Sequence, residues 1–278
     1  MNNMATHEII TEKIIKKLEA GKIPWKKAWR AQGAQNLVSR KGYRGINLLL
    51  LSESNFSSPY WLTFKQAWGL GGNVKRGEKG TQVIFCKIFK EEETEEGEHD
   101  KKIFMLRYYT VFNLDQCEGI KGPKQEINEI HPVEACEQIV KGYATIPVLK
   151  VNNKDRAFYL PQKDYISLQE KHTFKSAEGY YSTLFHEMVH STGHETRLNR
   201  FNSQAYNRPF ASTDYSKEEL IAELGNAYLC AEAGIDNTQL ENSAAYIQSW
   251  LKALKNDKKL LFSASSHAIK AANYILGK

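Results

Sequence analysis

The stretch STLFHEMVHS, residues 182–191, sets two histidines four positions apart around a glutamate. On an α-helix, residues four apart lie about one turn from each other on the same face, so His186 and His190 can both reach one zinc ion. Glu187 lies beside them, where its carboxylate can take a proton from a water that the metal activates and pass it to a leaving amine. The stretch therefore predicts a helix that carries a zinc-dependent hydrolytic centre.

A zinc ion needs a third protein ligand, and helix geometry limits where it comes from. His194 continues the spacing, but on a straight helix it would lie about 12 Å along the axis from His186, too far to share one ion. A helix predicted to begin near Ser216 carries Glu219 and Glu223 one turn apart, so one can ligate the metal while the other orients a histidine. The alternative for Glu219 is a capping box with Ser216, in which it would only satisfy amides at the helix start.

Positive charge is concentrated in the N-terminal third of the chain. Residues 1–90 carry 16 Lys and Arg against 5 Glu, a net +11, whereas the whole chain carries only +6. Four of the five tryptophans also lie in the first 70 residues. Because unpaired bases stack on aromatic rings and cations contact phosphates, this combination predicts a module that binds single-stranded nucleic acid. For any one tryptophan, burial in the core is the alternative.

Phosphate contacts are expected from basic residues near the tryptophans and from one glycine-rich segment. These residues are Lys26, Lys27, Arg30, Arg40, Arg44, Lys75, Arg76 and Lys79, with Tyr43 as a possible stacking residue. The glycine-rich segment, 69–80, does not fit a Walker A loop, because Glu78 follows Gly77 where a lysine is required and would repel a triphosphate. We interpret it as a basic turn leading into a strand.

Apolar periodicity and turn residues divide the chain into two domains of an α+β protein. Residues 1–125 are predicted to form the nucleic-acid-binding domain, a mixture of helix and antiparallel sheet, and residues 126–278 a mostly helical metallopeptidase domain with a small sheet. The predicted helices are 7–20, a brief helix after its cap Thr63, 131–142, 176–192, 216–233, 240–255 and 263–276. The predicted strands are 60–62, a hairpin of 81–89 and 103–112, then 146–151, 157–160 and 165–168.

Composition excludes several classes of protein. No stretch of about 18 apolar residues occurs and the N-terminus lacks a secretory pattern, so we expect a cytoplasmic protein with no membrane partner. The cysteines lie far apart, which fits neither a disulfide framework nor a cysteine zinc site. They are Cys86, Cys117, Cys136 and Cys230, and we expect reduced, mostly buried thiols.

Long stretches of the chain resemble the ArdC-type antirestriction proteins, a zinc-peptidase family carried on conjugative plasmids and related mobile elements. In the C-terminal half the similar segments are HEMVHSTGHETRLNR and EELIAELGNAYLC; upstream they are KKLEAGKIPWKKAW, YRGINLLLL, YWLTFKQAWGLGGNVKRGEKG and YYTVFNLDQCEG. The resemblance implies an N-terminal single-stranded DNA-binding domain, found also in certain plasmid primases, and a gluzincin-like zincin domain. The gluzincin pattern E-x-x-A-D further implies that Glu219 ligates zinc and Glu223 orients a histidine, although Glu223 stands where the pattern has Asp.

Two functions are compatible with these features. In the first, the basic module concentrates a zinc peptidase on single-stranded DNA, where it cleaves DNA-bound proteins such as a restriction enzyme. In the second, a non-catalytic protein coats incoming DNA and shields it from restriction, and the zinc is structural or vestigial. Glu187 favours the first, because a structural zinc site needs no base and usually has four protein ligands. A nuclease or primase would need acidic clusters for magnesium, and the strongest, 91–98, is interpreted as a solvated loop.

Overall fold

The structure, a computed structural model, describes residues 6–26, 34–52, 54, 56–90, 102–123, 132–152, 156–201, 213–236 and 244–278. The α-helices are α1 (Thr6–Glu19), α2 (Ile46–Ser52), α3 (Phe64–Gly69), α4 (Pro132–Gly142), α5 (Ala177–Ser191), α6 (Thr213–Ala233), α7 (Ala244–Asn256) and α8 (Leu260–Ile275). The strands are β1 (Gln35–Asn36), β2 (Tyr60–Thr63), β3 (Asn73–Val74), β4 (Thr81–Lys90), β5 (Lys102–Asn113), β6 (Cys117–Glu118), β7 (Val148–Val151), β8 (Phe158–Leu160) and β9 (Tyr165–Leu168). The predicted α+β class is confirmed.

The N-terminal part is built on a sheet with the strand order β1-β2-β5-β4. Strands β4 and β5 form the predicted antiparallel hairpin, in register from Thr81 opposite Val111 onward. Thr63 caps α3 as predicted: its hydroxyl accepts from the Gln66 amide, and the Gln66 side chain accepts from the Thr63 amide. Hydrophobic and capping patterns therefore identified β2, β4, β5 and α3, whereas the two-residue strand β1 was not predicted.

Helix α2 was not predicted. Its sequence, INLLLLS, is apolar with no amphipathic period and is shorter than the helices that periodicity detects. The side chain of Asn47 donates to the Ile84 carbonyl and accepts from the Ile84 amide, at 2.7 and 2.6 Å. Since β4 is an edge strand, this pair of hydrogen bonds satisfies backbone groups that the sheet leaves unpaired.

The C-terminal part surrounds one buried helix. Every residue of α6 from 220 to 231 is buried, and a three-stranded sheet of order β7-β9-β8 lies against α5. Gly225 of α6 faces Val189 of α5 so closely that an added Cβ would lie 2.8 Å from the valine methyl groups. The absence of a side chain at residue 225 therefore sets the close approach of the two helices that carry the predicted metal ligands.

Part of the N-terminal sequence belongs to the same core as the C-terminal helices. Trp25 is fully buried and packs edge-to-face on Trp250 of α7, with ring centroids 5.3 Å apart. The Thr11 hydroxyl of α1 donates to the Lys258 carbonyl at 2.7 Å. The predicted domain boundary near 125 lies outside the described residues and stays a prediction.

Two expectations from composition concern thiols and membranes. Cys136 and Cys230 are buried free thiols and Cys117 is a half-buried one, while the side chain of Cys86 lies outside what the structure describes. Among the helices described, none combines the length and hydropathy needed to cross a bilayer.

Candidate metal centre

Helix α5 presents the three residues of the HEMVH stretch that carry chemistry. Ser176 begins the helix, its hydroxyl accepting from the Gly179 amide at 3.1 Å. At the other end, Arg200 donates to the Val189 carbonyl at 2.9 Å and to the Thr192 hydroxyl at 2.6 Å, so the last turn of α5 is fixed by hydrogen bonds. The helix segment that holds the two histidines is therefore anchored on both sides.

The structure brings His186, His190 and Glu219 together. The Nε2 atoms of the two histidines are 3.1 Å apart, and the Glu219 carboxylate oxygens lie 3.5 Å from His186 Nε2 and 3.6 Å from His190 Nε2. Ligands about 2.1 Å from a tetrahedral ion are about 3.4 Å from one another. Among the described residues, this is the one group of three or more donors compact enough to hold a metal ion.

The outer nitrogen of each histidine faces a second carboxylate. His190 Nδ1 lies 3.4 Å from Glu218 Oε1, and His186 Nδ1 lies 3.8 Å from Glu223 Oε1. We assign a proton to His190 Nδ1 from its contact with Glu218, whereas His186 Nδ1 has Glu223 as a nearby charge beyond hydrogen-bond distance. With a proton on each Nδ1, both Nε2 lone pairs are directed at one point. Two lone pairs 3.1 Å apart repel unless a proton or a cation lies between them. The donor set therefore fits a divalent cation.

Glu218 is the site residue that sequence reasoning missed. Arg200 donates to its carboxylate at 2.8 Å, and both side chains are largely buried. Burial acts to raise the pKa of Glu218, but the charge of Arg200 and the hydrogen bond with His190 hold that pKa down at about 2. Glu218 is therefore an anion fixed between the histidine and the arginine. The adjacent acids Glu218 and Glu219 were the only sequence signal for it.

Burial and neighbouring charges shift the pKa values of Glu187 and His186 at the metal centre. Burial raises the pKa of Glu187, against the opposing charges of His186 and His190, and the backbone amide of Tyr159 donates to the Glu187 carboxylate. Burial acts to lower the pKa of His186, but the hydrogen bond to Glu219 and the charges of Glu223 and Glu187 raise it to about 10. The surrounding carboxylates therefore favour a positive charge at His186.

The capping-box alternative for Glu219 is wrong. Helix α6 begins at Thr213, so Ser216 lies inside the helix and forms a hydrogen bond with Ser249 instead of capping. His194, excluded as a ligand by its distance along the helix, is in contact with Thr196 beyond the end of α5. The ligand roles of Glu219 and Glu223 stay predictions that this geometry supports.

The predicted phosphate-contacting residues are exposed where their side chains are described. They fall in two groups along the chain, Arg40 and Arg44 after β1, and Lys75, Arg76 and Lys79 after β3. Lys27 and Arg30 lie outside the described residues, as does the side chain of Lys26.

The aromatic candidates of the N-terminal part divide between core and surface. Trp25 and Trp61 are buried, as the core alternative expected, whereas Trp68 is 69% exposed. Tyr43 is half-buried and packs on an apolar cluster that contains Trp61 and Val111. Its ring is therefore partly occupied by protein contacts.

Two family models match the chain, one on each part. Residues 4–112 match the N-terminal domain of anti-restriction factor ArdC, and residues 135–267 match a zincin-like metallopeptidase. The fold and the site together define a protein with an ArdC-type N-terminal domain followed by a zincin-like C-terminal domain. The crystal structure of the antirestriction ArdC protein from plasmid R388 in its metal-free form is 38% identical, with a TM-score of 0.78, and the match covers 98% of this chain and 97% of that one. The chain belongs to the ArdC family of antirestriction proteins, and the resemblance found in the sequence is confirmed.

Further relatives bear on the metal and on the wider family. The Mn(II)-bound structure of the same R388 protein is 37% identical, with a TM-score of 0.79 and coverage of 99% and 98%. DNA primase TraC of Escherichia coli is 35% identical over 97% of this chain, which spans only 27% of that primase. The uncharacterized protein y4eC of Sinorhizobium fredii is 30% identical over 97% of this chain and 91% of its own length. The fold and the relatives indicate a divalent metal, while zinc itself stays a prediction.

Proposed function

We propose that this chain is an antirestriction protein of a mobile element that binds single-stranded DNA and hydrolyses DNA-associated proteins. A restriction enzyme bound to the incoming strand is the expected kind of substrate. The zinc centre would be held by His186, His190 and Glu219, and the location, as predicted, would be the cytoplasm. The single observation that carries the proposal is the buried carboxylate of Glu187 beside the three-donor cluster.

The number of donors distinguishes a catalytic from a structural centre. Structural zinc sites are usually closed by four protein ligands, whereas catalytic sites keep one position for water or substrate. The cluster contains three donors within the part of the chain that the structure describes. Glu187 is also buried, at an energetic cost, without being one of the three donors, and a role as proton carrier explains its presence better than a structural site does. Both features favour the peptidase over the non-catalytic shield.

Peptide hydrolysis requires a proton to move from water to nitrogen. The water oxygen bonds to the carbonyl carbon, the C–N bond breaks, and the leaving nitrogen gains the proton. A divalent ion in this site would supply the positive charge that polarises the carbonyl and acidifies water. Glu187 would carry the proton: burial raises the pKa of its carboxyl group, which makes the carboxylate a stronger base, and the amide of Tyr159 orients that carboxylate.

The N-terminal part supports the DNA-binding half of the proposal. Its net charge of +11 over residues 1–90 suits a polyphosphate, and the basic side chains described there are exposed apart from the half-buried Lys17. Covalent linkage to the metal centre raises the effective concentration of proteins bound to the same strand, so a weak peptidase can still act selectively.

Metal content and cleavage of a restriction endonuclease, measured with and without single-stranded DNA, test the proposal. Glu187→Gln should keep about one metal per chain and its DNA binding, but lose about 10²- to 10⁴-fold in cleavage rate, since proton transfer is removed. Glu232→Gln, an exposed position on α6, is the matched control and should behave as wild type. Removing the metal with a chelator and restoring either Zn²⁺ or Mn²⁺ tests which ion supports cleavage.

Each other outcome has a definite meaning. Cleavage by Glu187→Gln at the wild-type rate would exclude this mechanism. Metal binding and strand binding without cleavage in wild type would instead favour the protein that shields incoming DNA.

A further inference from the structure

The hairpin of β4 and β5 exposes two aromatic rings on one face of the N-terminal sheet. Alternate strand residues share a face, and the register sets Val83 opposite Tyr109 and Phe85 opposite Arg107. Val83 is buried, but two residues further along the same face Phe85 is 54% exposed, and Tyr109 is 46% exposed. The apolar face of the sheet thus continues beyond the residues that cover it.

The two exposed rings form one surface. Their centroids lie 6.2 Å apart with an angle of 80° between the ring planes. The exposed side chain of Arg107 stands directly across the hairpin from Phe85. Next to these rings the same face is covered, in a cluster where Val83 and Val111 are buried and Tyr43 packs against them. The exposed surface therefore adjoins the tyrosine for which the sequence predicted base stacking.

We propose that Phe85, Tyr109 and Arg107 form a stacking platform for the unpaired bases of single-stranded nucleic acid. This inference rests on the proposed DNA binding and names the place where bases, as distinct from phosphates, are held. Every base has a flat π face, so aromatic rings bind single strands without a sequence requirement, and a neighbouring guanidinium adds charge attraction to the backbone and stacking with the bases. Duplex DNA keeps its bases stacked inside and would not offer them to such a surface.

Charge and the exposed rings together favour nucleic acid as the occupant over an apolar protein surface. Phe85 lies in the segment of residues 1–90 with a net charge of +11, and the exposed Arg107 stands opposite it on β5, so the platform suits a partner that carries both negative charges and flat rings.

Tyr108 provides a matched control. It is adjacent to Tyr109 and 53% exposed, but it points to the opposite face of the sheet, opposite the buried Ile84. The two tyrosines therefore share residue type, strand and exposure, and differ in the face they occupy.

The experiment measures binding of the full chain to two labelled 20-mers, oligo(dT) and an abasic strand with the same phosphates. Phe85→Thr and Tyr109→Thr keep a strand-forming residue and should each weaken oligo(dT) binding at least about 5-fold, with abasic binding nearly unchanged. Tyr109→Phe keeps the ring and should bind as wild type. Tyr108→Thr should leave both affinities unchanged. Arg107→Ser should weaken both strands and lower the salt slope by about 0.7.

The results separate the platform from the proposed function. If wild type binds oligo(dT) and the Phe85→Thr/Tyr109→Thr double variant binds it equally well, the platform is wrong while DNA binding stands. If both strands lose affinity in parallel, the rings act on phosphates or on folding, and the platform is again wrong. If wild type binds neither strand, the DNA-binding half of the proposed function fails and the platform fails with it.

Discussion

At the metal centre the donors are largely buried and each histidine faces a second carboxylate, whereas on the N-terminal sheet face the two aromatic rings are about half exposed to solvent. His190 is held between Glu219 on one side and Glu218 on the other. Phe85 and Tyr109 touch each other at the edge of a covered cluster. The two regions differ because their ligands differ: a metal ion is held by a few donors at fixed distances, whereas a flexible strand is held by many weak contacts along an accessible surface.

This difference predicts how each region responds to substitution. Removing one residue of a buried, interdependent set disturbs its neighbours, since each unpaired polar group remains in a low dielectric. Removing one exposed ring or cation subtracts a single contact and leaves the fold intact. Effects should therefore be large and coupled at the centre, and small and additive on the surface.

The largest effect is expected where the N-terminal sequence enters the common core. Trp25→Ala removes a fully buried ring from its contact with Trp250 and should lower the free energy of unfolding by about 3–5 kcal/mol. Trp68→Ala, at an exposed position of α3, should change it by less than about 0.5 kcal/mol. Chemical denaturation of both variants tests this. Equal losses would show that position in the sequence, not burial, decides which tryptophans support the fold.

The next effect concerns the carboxylates behind the histidines. Glu218→Gln and Glu223→Gln should each weaken metal affinity about 10- to 100-fold, because a histidine loses the anion that orients it. Glu218→Gln should have the larger effect, since it also leaves the buried Arg200 without its anionic partner. Competition with a chromophoric chelator measures the affinities, and Glu232→Gln serves as the control on the same helix. Wild-type affinity in both variants would contradict a positioning role.

The residues of the donor cluster were accessible to sequence analysis in two ways. Helix spacing alone predicted His186 and His190, because residues four apart share a face. On the second helix, spacing left Glu219 and Glu223 as alternatives, and the family resemblance favoured Glu219. The part played by Glu218 was not accessible. It depends on how closely α5 and α6 pack, which Gly225 permits opposite Val189.

The stacking surface escaped sequence analysis for a different physical reason. Strand alternation shows that Val83 and Phe85 share a face, but not where the covering residues end along that face. The apolar helix α2 escaped because a short segment without amphipathic periodicity carries no signal that separates helix from strand. Local pattern thus specifies elements and faces, and tertiary packing decides which parts of those faces stay exposed.

The smallest effect is expected for substitution of a single phosphate-contacting residue on the N-terminal surface, and it can be distinguished from loss of a base contact. Arg76 is exposed in the turn after β3, and Arg76→Ser should weaken strand binding only a few-fold, lowering the salt slope by about 0.7. Because the contact is to phosphate, oligo(dT) and the abasic strand should lose affinity equally. Lys75→Ser should act similarly but also loosen the turn, since the Lys75 ammonium donates to the Asp115 carbonyl at 2.8 Å. If Arg76→Ser instead weakened oligo(dT) binding more than binding of the abasic strand, Arg76 would contact bases, and the proposed separation between cations that bind phosphates and rings that bind bases would be wrong.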